Sequence, residues 1–397
     1  MHSRRDFLKR ASLLALAPTV PAFLARTTRA ATVDKDGRVL VIIQLDGGND
    51  GLNTVVPFGD DNYARLRPVL RVPTKELIKL SEDVGLHPSL KPVARLLEDG
   101  QLAVVQGVGY PNPNRSHFRS MAIWHTARFD PEEHRGLGWI GRALDSGPAL
   151  QADAPGSVFV GLESPPVALQ SRRVPSSALA RLEDFALTDV AEASQTAASP
   201  GDSDDLADFV RRVTLDAYAA AARVQEAARA EDRAGYPGSD LAGRLGLIAR
   251  LLKSGYGARV FYTLQSGYDT HAQQTVPQAG LLYDLAAALA AFFDDLKASK
   301  LAGRVAVLAF SEFGRTIKEN ASGGTDHGTA GPVFLVGPGV MGSLSGPRPS
   351  LTELDGGEPR MTVDFRRVYT TALENWLGLP AKGSMGGTFE PLPLFRK

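Results

Sequence analysis

Two short segments bring aspartate and histidine side chains close together in the sequence. Asp326 and His327 are adjacent in a glycine-rich loop, where glycine permits backbone conformations that other residues resist. Asp269 and His271 are two residues apart, so that in an extended segment both side chains point to the same side. Carboxylates and imidazoles are typical ligands of divalent metals. The two pairs therefore predict metal ligands; the alternative for each is a turn-forming aspartate beside a surface histidine.

Both segments follow apolar runs that are typical of strands buried on both faces of a parallel sheet. Arg259 to Leu264 precedes the Asp269 segment, and Arg304 to Phe310 precedes the loop with Asp326. A third run starts at Arg38 and ends on an aspartate that two glycines follow. Ligands of open α/β sheets bind at the carboxyl ends of strands, so the three ends should meet at one edge. Five residues would then supply one closed or two half-open metal sites: Asp46, Asp269, His271, Asp326 and His327.

A serine at a predicted helix start can face the same edge. Arg115 and Ser116 precede a helical run that extends to about Ala127, and Ser116 suits the N-cap position. The other interpretation of Ser116 is a nucleophile, because a helix N-terminus stabilises a serine alkoxide or an incoming phosphate. Arg115 beside it could clamp an oxyanion.

Three polar residues directly follow two of the predicted strands. Glu312 and Arg315 come after the run that ends at residue 310. We expect Arg115 or Arg315 to stabilise transferring negative charge and Glu312 to orient one of these arginines. Asn49 follows the two glycines after the first strand and is either a turn former or a site residue.

Three histidines precede or occupy predicted helices. His87 lies just before a helix start, where it either caps the helix or reaches the site. His117 and His125 are eight residues apart on one predicted helix and share nearly the same face. At least one of these two is expected to pack in the interior.

Apolar runs alternate with striped helices along the chain, which predicts an α/β fold. One helix, opened by Pro277, has apolar residues at 282, 285, 289, 292 and 296, a stripe that covers the sheet. Residues 191–205 are polar and small, and an Ala- and charge-rich helical segment follows from 206 to about 232. We expect these segments to belong to a helical insertion at about 176–256 within a domain that spans 31–397.

The amino terminus has the pattern of an export signal. Arg4 and Arg5 form a twin-arginine signature, and a short apolar run and a small-residue cleavage site near Ala30 follow. Pro18 and Pro21 interrupt this run, which is shorter than the roughly 20 residues that a membrane span needs. We expect residues 1–30 to be a twin-arginine signal peptide of a periplasmic or secreted protein. The twin-arginine translocase would be its partner during export, and no stable membrane span is expected.

Composition argues against one class of partner and limits the possible metal ligands. The 44 Lys and Arg residues balance the 44 Asp and Glu residues, and removal of residues 1–30 takes away six basic residues and one Asp. The remaining chain has a charge near −5, which argues against nucleic acid as a partner. The chain has no cysteine, so it uses no disulfide, and His and carboxylate side chains must hold any metal.

Five motifs behind the export signal resemble those of a known bacterial family. In order they are LDGGND, RSHF, GYDTH, SEFGR and GTDHG, and the family is domain of unknown function 1501. That family resembles a branch of the alkaline phosphatase and sulfatase superfamily. The resemblance implies a doubly wound, mostly parallel sheet with helices on both faces and a two-metal site.

The same resemblance implies roles for individual residues. Ser116 would match the nucleophile, and the metal ligands would fall into two sets: Asp46, Asp326 and His327 in one, Asp269 and His271 in the other. This chain departs from the phosphatase pattern in two ways: no histidine follows His327, and the second Asp and His are two apart where four is usual. The second metal would be weak, absent or completed by one of three residues: His87, His117 or Glu312. Zn²⁺ is the first candidate ion, with Ca²⁺, Mg²⁺ and Mn²⁺ as alternatives.

These features predict an exported, metal-dependent hydrolase of phosphate or sulfate esters with a serine nucleophile. Its substrate would be a small phosphate or sulfate ester, either free or on a glycan. The alternative function is a non-catalytic periplasmic binding or assembly protein that retains the phosphatase-like fold.

Overall fold

The computed structural model describes residues 37–130, 136–147, 156–180 and 235–396. The expected signal peptide and the expected helical segment at 206–232 lie outside these ranges. Nine strands form the largest sheet of the described residues: β1 (Val39–Asp46), β2 (Leu102–Gly109), β3 (Ser157–Val160), β4 (Ser176–Leu179), β5 (Val260–Ser266), β6 (Val305–Phe310), β7 (Gly331–Val336), β8 (Ser343–Ser345) and β9 (Val363–Asp364).

The first apolar run forms the centre of this sheet. The strand order is β8-β2-β7-β6-β1-β5-β3-β4, and β9 pairs with β2. β1 is parallel to both of its neighbours, β5 and β6, whereas β7 runs antiparallel to β2 and β6. The expected mostly parallel sheet is confirmed. Its carboxyl edge collects the ends of β1, β2, β5 and β6 together with the start of β7.

Helices cover both faces of the sheet. The α-helices of the described ranges are α1 (Gly51–Thr54), α2 (Asp61–Leu66), α3 (Ala94–Glu98), α4 (His117–Thr126), α5 (Trp139–Ser146), α6 (Asp240–Lys253), α7 (Thr275–Ala298), α8 (Phe365–Thr370) and α9 (Lys382–Met385). A π-helix, Thr371–Leu377, continues α8, and 3-10 helices cover Thr74–Glu76, Pro88–Val93, Val167–Leu169 and Ala302–Arg304. Short strands pair outside the main sheet at Val55–Val56, Ile78–Lys79, Gly85–Leu86, Leu354–Asp355 and Glu358–Pro359.

The side chains of β1 show why a continuous apolar run suits this position. Val41 and Ile43 pack into one hydrophobic cluster together with α6 and α7. Leu40 and Ile42 point the other way, into a second cluster with α4, α5 and α8. Alternate residues of a strand face opposite sides, so a strand between two helical layers must be apolar at every position. The expected doubly wound architecture is confirmed.

Helix α7 provides much of the first helical layer. Its predicted apolar stripe is buried at every position, from Leu282 to Leu296. Among the described residues it is the one helix long and apolar enough to cross a membrane, with a mean hydropathy of 1.4 and 44% of the tested window buried. A buried face of this kind is typical of a core helix that packs on a sheet.

Two elements within the expected insertion at 176–256 are integral to the fold. β4 lies at one end of the sheet, where it pairs in parallel with β3. α6 begins at a Ser239 cap and buries Leu241, Leu245 and Ile248 in the first hydrophobic cluster. Among the residues assigned to the insertion, 181–234 lie outside the described ranges.

Candidate metal centre

The two glycines after β1 allow three chain segments to approach one another at the carboxyl edge. Gly47 and Gly48 have φ angles of +118° and +83°, which favour glycine. A Cβ atom on Gly47 would lie 2.5 Å from the backbone nitrogen of Asp269. A Cβ atom on Gly48 would lie 2.5 Å from the ring of Phe313. The end of β1 therefore needs glycine at both positions to accommodate the segments that follow β5 and β6.

Four of the predicted ligands contact one another at this edge. His271 Nε2 lies 3.0 Å from both Asp269 Oδ1 and His327 Nε2. His327 Nε2 is also 3.0 Å from Asp269 Oδ1. The other ring nitrogen of His271, Nδ1, lies 3.2 Å from Asp326 Oδ1. Asp269 thus lies between two imidazoles, and Asp326 borders the group on the outside.

His117, at the first position of α4, adds a third imidazole. Its Nε2 lies 3.6 Å from Asp269 Oδ2 and is a buried atom without a hydrogen-bond partner among the described residues. Its Nδ1 lies 2.7 Å from Glu312 Oε1. The hydrogen bond to this carboxylate raises the pKa of His117 against the opposing effect of burial. Glu312 is itself buried and accepts hydrogen bonds from Gly47 N and Ser311 Oγ.

Arg315 ties the cluster to the strand ends. Its guanidinium is buried and donates to the carbonyl oxygens of Gly47, Gly48, Tyr268 and Thr325. Its Nη2 also lies 2.7 Å from Asp269 Oδ1. All three guanidinium nitrogens therefore have oxygen acceptors within the protein, and Arg315 acts as a bridge between loops. This placement differs from the expected role as a clamp for transferring charge.

The two aspartates of the cluster favour the ionised form. Burial opposes ionisation of Asp269, but hydrogen bonds from Arg315 and His327 outweigh it and lower the pKa of this carboxyl group to about 2. The pKa of Asp326 is lowered by hydrogen bonds from Asn320 and His271. Both groups are carboxylates at neutral pH and can act as oxygen donors to a cation.

The donor set fits a divalent metal. His117, Asp269 and His327 offer ligand atoms that all lie within 4.8 Å of one another. Tetrahedral zinc with bonds of about 2.0–2.1 Å would place its donors about 3.3 Å apart, close to the 3.0 Å between His271 Nε2 and His327 Nε2. The buried, unpartnered Nε2 of His117 lies 3.6 Å from the other oxygen of the same aspartate, Asp269 Oδ2. An ion at this position would bind the histidine ring nitrogens that lie close to the Asp269 carboxylate.

Asp46 lies outside this cluster, in contrast to the ligand set that the family resemblance implies. Its half-buried carboxylate accepts a hydrogen bond from Gln44 Nε2 at 3.0 Å, and none of the hydrogen bonds and ion pairs within the described ranges joins it to a side chain of the cluster. Burial, followed by the charge of Glu312, raises the pKa of Asp46. Gln44 and Asp46 share one face of β1, the face that Tyr262 and His125 also border.

Two of the additional candidates have other contacts. His87 is buried at the start of the 3-10 helix Pro88–Val93, where its Nδ1 accepts a hydrogen bond from Ser89 N; burial lowers the pKa of His87 to about 4. The capping interpretation of His87 matches this geometry. Asn49 is also buried, and its Oδ1 accepts from Thr54 and Gln278.

Ser116 lies next to the cluster with an exposed side chain. It occupies the N-cap position of α4, but its hydroxyl makes no capping hydrogen bond. The preceding residue, Arg115, is exposed, and its carbonyl oxygen lies 2.8 Å from His327 Nδ1. The following residue is His117. Both chain neighbours of Ser116 therefore contact the cluster.

A buried network beneath the cluster was not anticipated from the sequence. Asp50 and Arg67 form an ion pair with 0% side-chain exposure and an Nη1–Oδ2 distance of 2.6 Å. Arg67 also donates to the carbonyl oxygens of Thr316 and Ile317, and Thr316 Oγ1 accepts from Asp326 N. Asp50 is a residue type that is common in turns, and no sequence motif surrounds Arg67. The ion pair is therefore recognisable only in the three-dimensional structure.

Through Gln274, the same network also contacts the loop between β6 and β7, which carries Asp326 and His327. The side chain of Gln274 donates to Asp50 and accepts from the hydroxyl of Thr325. Gln274 N also donates to the carbonyl oxygen of Gly323. The segment after β5 and the loop between β6 and β7 are thereby fixed to each other through buried polar groups.

The fold and this cluster define a class: a doubly wound α/β protein with an open histidine and carboxylate centre at the carboxyl edge of its sheet. A family model described as "Protein of unknown function (DUF1501)" matches residues 37–352, and the chain belongs to this family. None of the curated proteins compared with the chain matches it.

Several solved structures match the chain at low sequence identity, and three of them are described here by name. A protein in the alkaline phosphatase superfamily from Vibrio parahaemolyticus has 11% identity and a TM-score of 0.41, with 96% of this chain and 79% of that chain covered. The 2-O GAG sulfatase BT1596 has 9% identity and a TM-score of 0.39, with coverages of 89% and 73%. The C-terminal periplasmic domain of EcEptC from Escherichia coli, in complex with Zn, has 11% identity and a TM-score of 0.34, with coverages of 76% and 73%. At these values the similarity assigns no activity or site residue to this chain.

Proposed function

We propose that this protein is an exported, metal-dependent hydrolase of phosphate or sulfate esters. The observation that carries the proposal is the convergence of His117, His271 and His327 on Asp269 beside Ser116, whose hydroxyl makes no capping hydrogen bond. Three imidazoles and a carboxylate suit a divalent ion, and zinc is the preferred candidate. A nucleophile next to such an ion is a combination typical of ester hydrolysis.

The ligands in this proposal are His117, Asp269, His271 and His327, with Asp326 at the border. A bound divalent ion would supply Lewis-acid polarisation of an ester oxygen. Glu312 holds His117 in place, and Arg315 holds Asp269 and helps to keep it ionised, so we assign both residues positioning roles. Asp46 stays a candidate for contact with water or substrate near the centre.

Ser116 is the nucleophile in this proposal. Its position at the N-terminus of the ten-residue helix α4 favours the alkoxide over the hydroxyl, because the helix dipole stabilises negative charge there. Attack on phosphorus or sulfur forms a bond from Oγ and releases the alcohol of the ester, and water then cleaves the serine ester. The exposed guanidinium of Arg115 can bind the anionic group during transfer.

A set of three variants tests this assignment. Ser116→Ala and Ser116→Asp should abolish turnover of aryl phosphate and aryl sulfate while the bound metal is retained. His327→Ala should lose metal and turnover together. Full activity in Ser116→Ala would remove serine from the mechanism. A wild type that binds metal but hydrolyses no ester would instead support a non-catalytic binding or assembly protein.

Export is a separate part of the proposal. It is supported by the twin-arginine signature in residues 1–30. Replacement of Arg4 and Arg5 by Lys should retain the protein in the cytoplasm, as measured by cell fractionation. Normal accumulation of this double variant in the periplasm would contradict the assignment.

A further inference from the structure

The three histidines of the candidate metal centre share one pattern of contacts. The Nδ1 atom of each ring lies within hydrogen-bond distance of an oxygen of the protein: His117 of Glu312 Oε1 at 2.7 Å, His271 of Asp326 Oδ1 at 3.2 Å, and His327 of Arg115 O at 2.8 Å. A carboxylate and a backbone carbonyl only accept hydrogen bonds, so each Nδ1 carries the hydrogen. In the neutral ring Nε2 then has the free lone pair, and this is the nitrogen that can bind a metal.

His87, which lies away from the centre, has the opposite arrangement. Its Nδ1 accepts a hydrogen bond from Ser89 N at 3.1 Å, and the ring is neutral at pH 7 because burial lowers its pKa to about 4. The hydrogen of this ring must therefore lie on Nε2. The common arrangement at the centre thus distinguishes its three histidines from the buried histidine that caps a helix.

The Nε2 atoms of the three rings converge on Asp269. Nε2 of His271 and Nε2 of His327 are 3.0 Å from each other, and each is 3.0 Å from Asp269 Oδ1. His117 Nε2 lies 3.6 Å from Asp269 Oδ2. In neutral rings with the hydrogen on Nδ1, no hydrogen separates these lone pairs, so they repel one another. A cation among them removes the repulsion, which is why the arrangement suits a metal ion.

Asp326 contacts this arrangement from outside. Its Oδ1 lies beside Nδ1 of His271, on the side of the ring away from Nε2. An ion bound to Nε2 would therefore lie across the ring from this oxygen. A carboxylate that accepts a hydrogen bond from the outer nitrogen of a ligand histidine fixes the orientation of the ring and raises the basicity of the inner nitrogen.

Asn320 holds Asp326 and His271 together. Its Nδ2 donates to Asp326 Oδ1 at 3.3 Å and to the carbonyl oxygen of His271 at 3.0 Å. Its Oδ1 accepts from Ser322 N at 2.9 Å and from Gly324 N at 3.1 Å. Both donors and both acceptor positions of the amide are occupied, which fixes its orientation. One side chain thereby joins the segment after β5 to the loop that carries Asp326.

We propose that Asp326 is a positioning residue and not a metal ligand: it holds Nδ1 of His271 so that Nε2 binds the ion, and Asn320 acts through Asp326. This assignment differs from the ligand set that the family resemblance implies, in which Asp326 binds the metal directly. The inference rests on the proposed function, because it concerns the ion that the hydrolase would use.

Competition between the protein and a chelator for zinc tests the role of Asp326. Asp326→Ala should lower the zinc affinity about 10- to 100-fold, the usual effect of losing a group that orients a ligand, and should still bind one equivalent at saturating zinc. Asp326→Asn keeps an oxygen that can accept from His271 Nδ1. Its affinity should therefore be closer to that of the wild type than to that of Asp326→Ala.

Glu319→Ala is the matched control for loss of a charge. Glu319 is another carboxylate of the loop between β6 and β7, but it accepts from the backbone nitrogens of Val69 and Leu70. Its replacement should leave the zinc affinity unchanged, because Glu319 orients no histidine of the centre.

Cobalt bound in place of zinc tests whether Asp326 is itself a ligand. The visible absorption spectrum of Co²⁺ depends on the number, type and geometry of its ligands. At saturating Co²⁺ the wild type and Asp326→Ala should have the same spectrum, because the proposal leaves the ligands of the ion unchanged. A shift of the absorption bands in Asp326→Ala would make Asp326 a ligand and overturn the inference.

A double variant tests the role of Asn320. Asn320→Ala should lower the zinc affinity, and the variant that combines Asn320→Ala with Asp326→Ala should bind zinc no more weakly than Asp326→Ala alone. Two residues that act in series are not additive. Additive losses would show that Asn320 acts independently and would overturn its assigned role.

The remaining outcomes separate this inference from the proposed function. Unchanged affinity in Asp326→Ala, or an equal loss in Asp326→Ala and either Asp326→Asn or Glu319→Ala, would overturn the inference and leave the hydrolase proposal intact. A wild type that binds neither zinc nor cobalt would overturn both. A wild type that binds zinc but hydrolyses no ester would overturn the hydrolase proposal alone.

Discussion

Two groups of charged residues lie at the same edge of the sheet and differ in how their polar atoms are satisfied. Asp50 and Arg67 are fully buried, and their charges are neutralised by each other and by backbone or amide partners. The candidate metal centre is partly exposed, places ring nitrogens close to Asp269 and leaves His117 Nε2 without a partner among the described residues. The polar atoms of the first group satisfy one another, whereas the second group leaves donor atoms for the metal ion that we propose.

The difference indicates a division of roles between the two groups. The buried network fixes Thr316 and Gln274, which hold the loops that carry the predicted ligands. Preorganised ligands lower the cost of binding an ion, because the loops need not be ordered at that moment. Changes in the network should therefore affect folding first, and changes in the cluster should affect metal binding first.

The largest effect is expected from the buried ion pair. Asp50→Ala leaves the Arg67 guanidinium buried without its counter-charge and should lower the free energy of unfolding by about 3–5 kcal/mol. Asp326→Ala removes an exposed carboxylate at the same edge and should cost only about 0–1 kcal/mol. Urea unfolding of the metal-free proteins measures both values. Equal losses in the two variants would refute the division of roles.

Acid should destabilise the protein through His87. The pKa of this residue is about 4 in the folded state, because of burial, and about 6.5 in the unfolded chain. Between these values only the unfolded state binds the proton, so the stabilisation present above pH 6.5 is lost as the pH falls towards 4. The loss attributable to His87 is at most about 3 kcal/mol.

His87→Asn tests this prediction. Asn can still accept the hydrogen bond from Ser89 N but does not titrate. The difference in unfolding free energy between pH 7 and pH 4.5 should therefore be smaller in the variant than in the wild type. An identical pH dependence in both proteins would count against a buried neutral His87.

Replacement of Glu312 should lower the metal affinity of the cluster more than the stability of the fold. Glu312→Gln keeps the shape of the side chain but removes the charge next to His117 Nδ1. Loss of a partner that orients a ligand typically lowers metal affinity about 10- to 100-fold, which is the result we expect from competition with a chelator. Unchanged affinity would mean that His117 is not a ligand.

The smallest effect is expected at Ser116. A serine that caps a helix stabilises the protein by about 0.5–2 kcal/mol, but this hydroxyl makes no capping bond. Ser116→Ala should therefore change the unfolding free energy by only a few tenths of a kcal/mol. A loss above about 1 kcal/mol would restore the capping interpretation.

The fold was largely predictable because strands buried on both faces need continuous apolar runs. Those runs located β1, β5 and β6 and the stripe of α7. The antiparallel direction of β7 was not predictable, since periodicity carries no information about strand direction. Pro92 likewise turns the expected helix after His87 into a 3-10 segment followed by α3.

The candidate site was predictable in its location and less so in its contacts. Strand ends gave the edge that brings Asp269, His271 and His327 together. The contacts of Asp46 depend on the face of β1 to which its side chain points and on its hydrogen bond with Gln44. No sequence motif predicts either of these two features. The buried setting of Arg315 results from carbonyl groups far apart in the sequence, which spacing does not reveal.

The central claim is that the edge of the sheet holds a metal ion. The most direct measurement is equilibrium dialysis of the metal-stripped protein against zinc, followed by elemental analysis, for the wild type, His327→Ala and Ser116→Ala. The account predicts about one equivalent of zinc per chain in the wild type and in Ser116→Ala. His327→Ala should lose most or all of this zinc. A wild type that retains no ion, or a His327→Ala variant that retains the full equivalent, would contradict it.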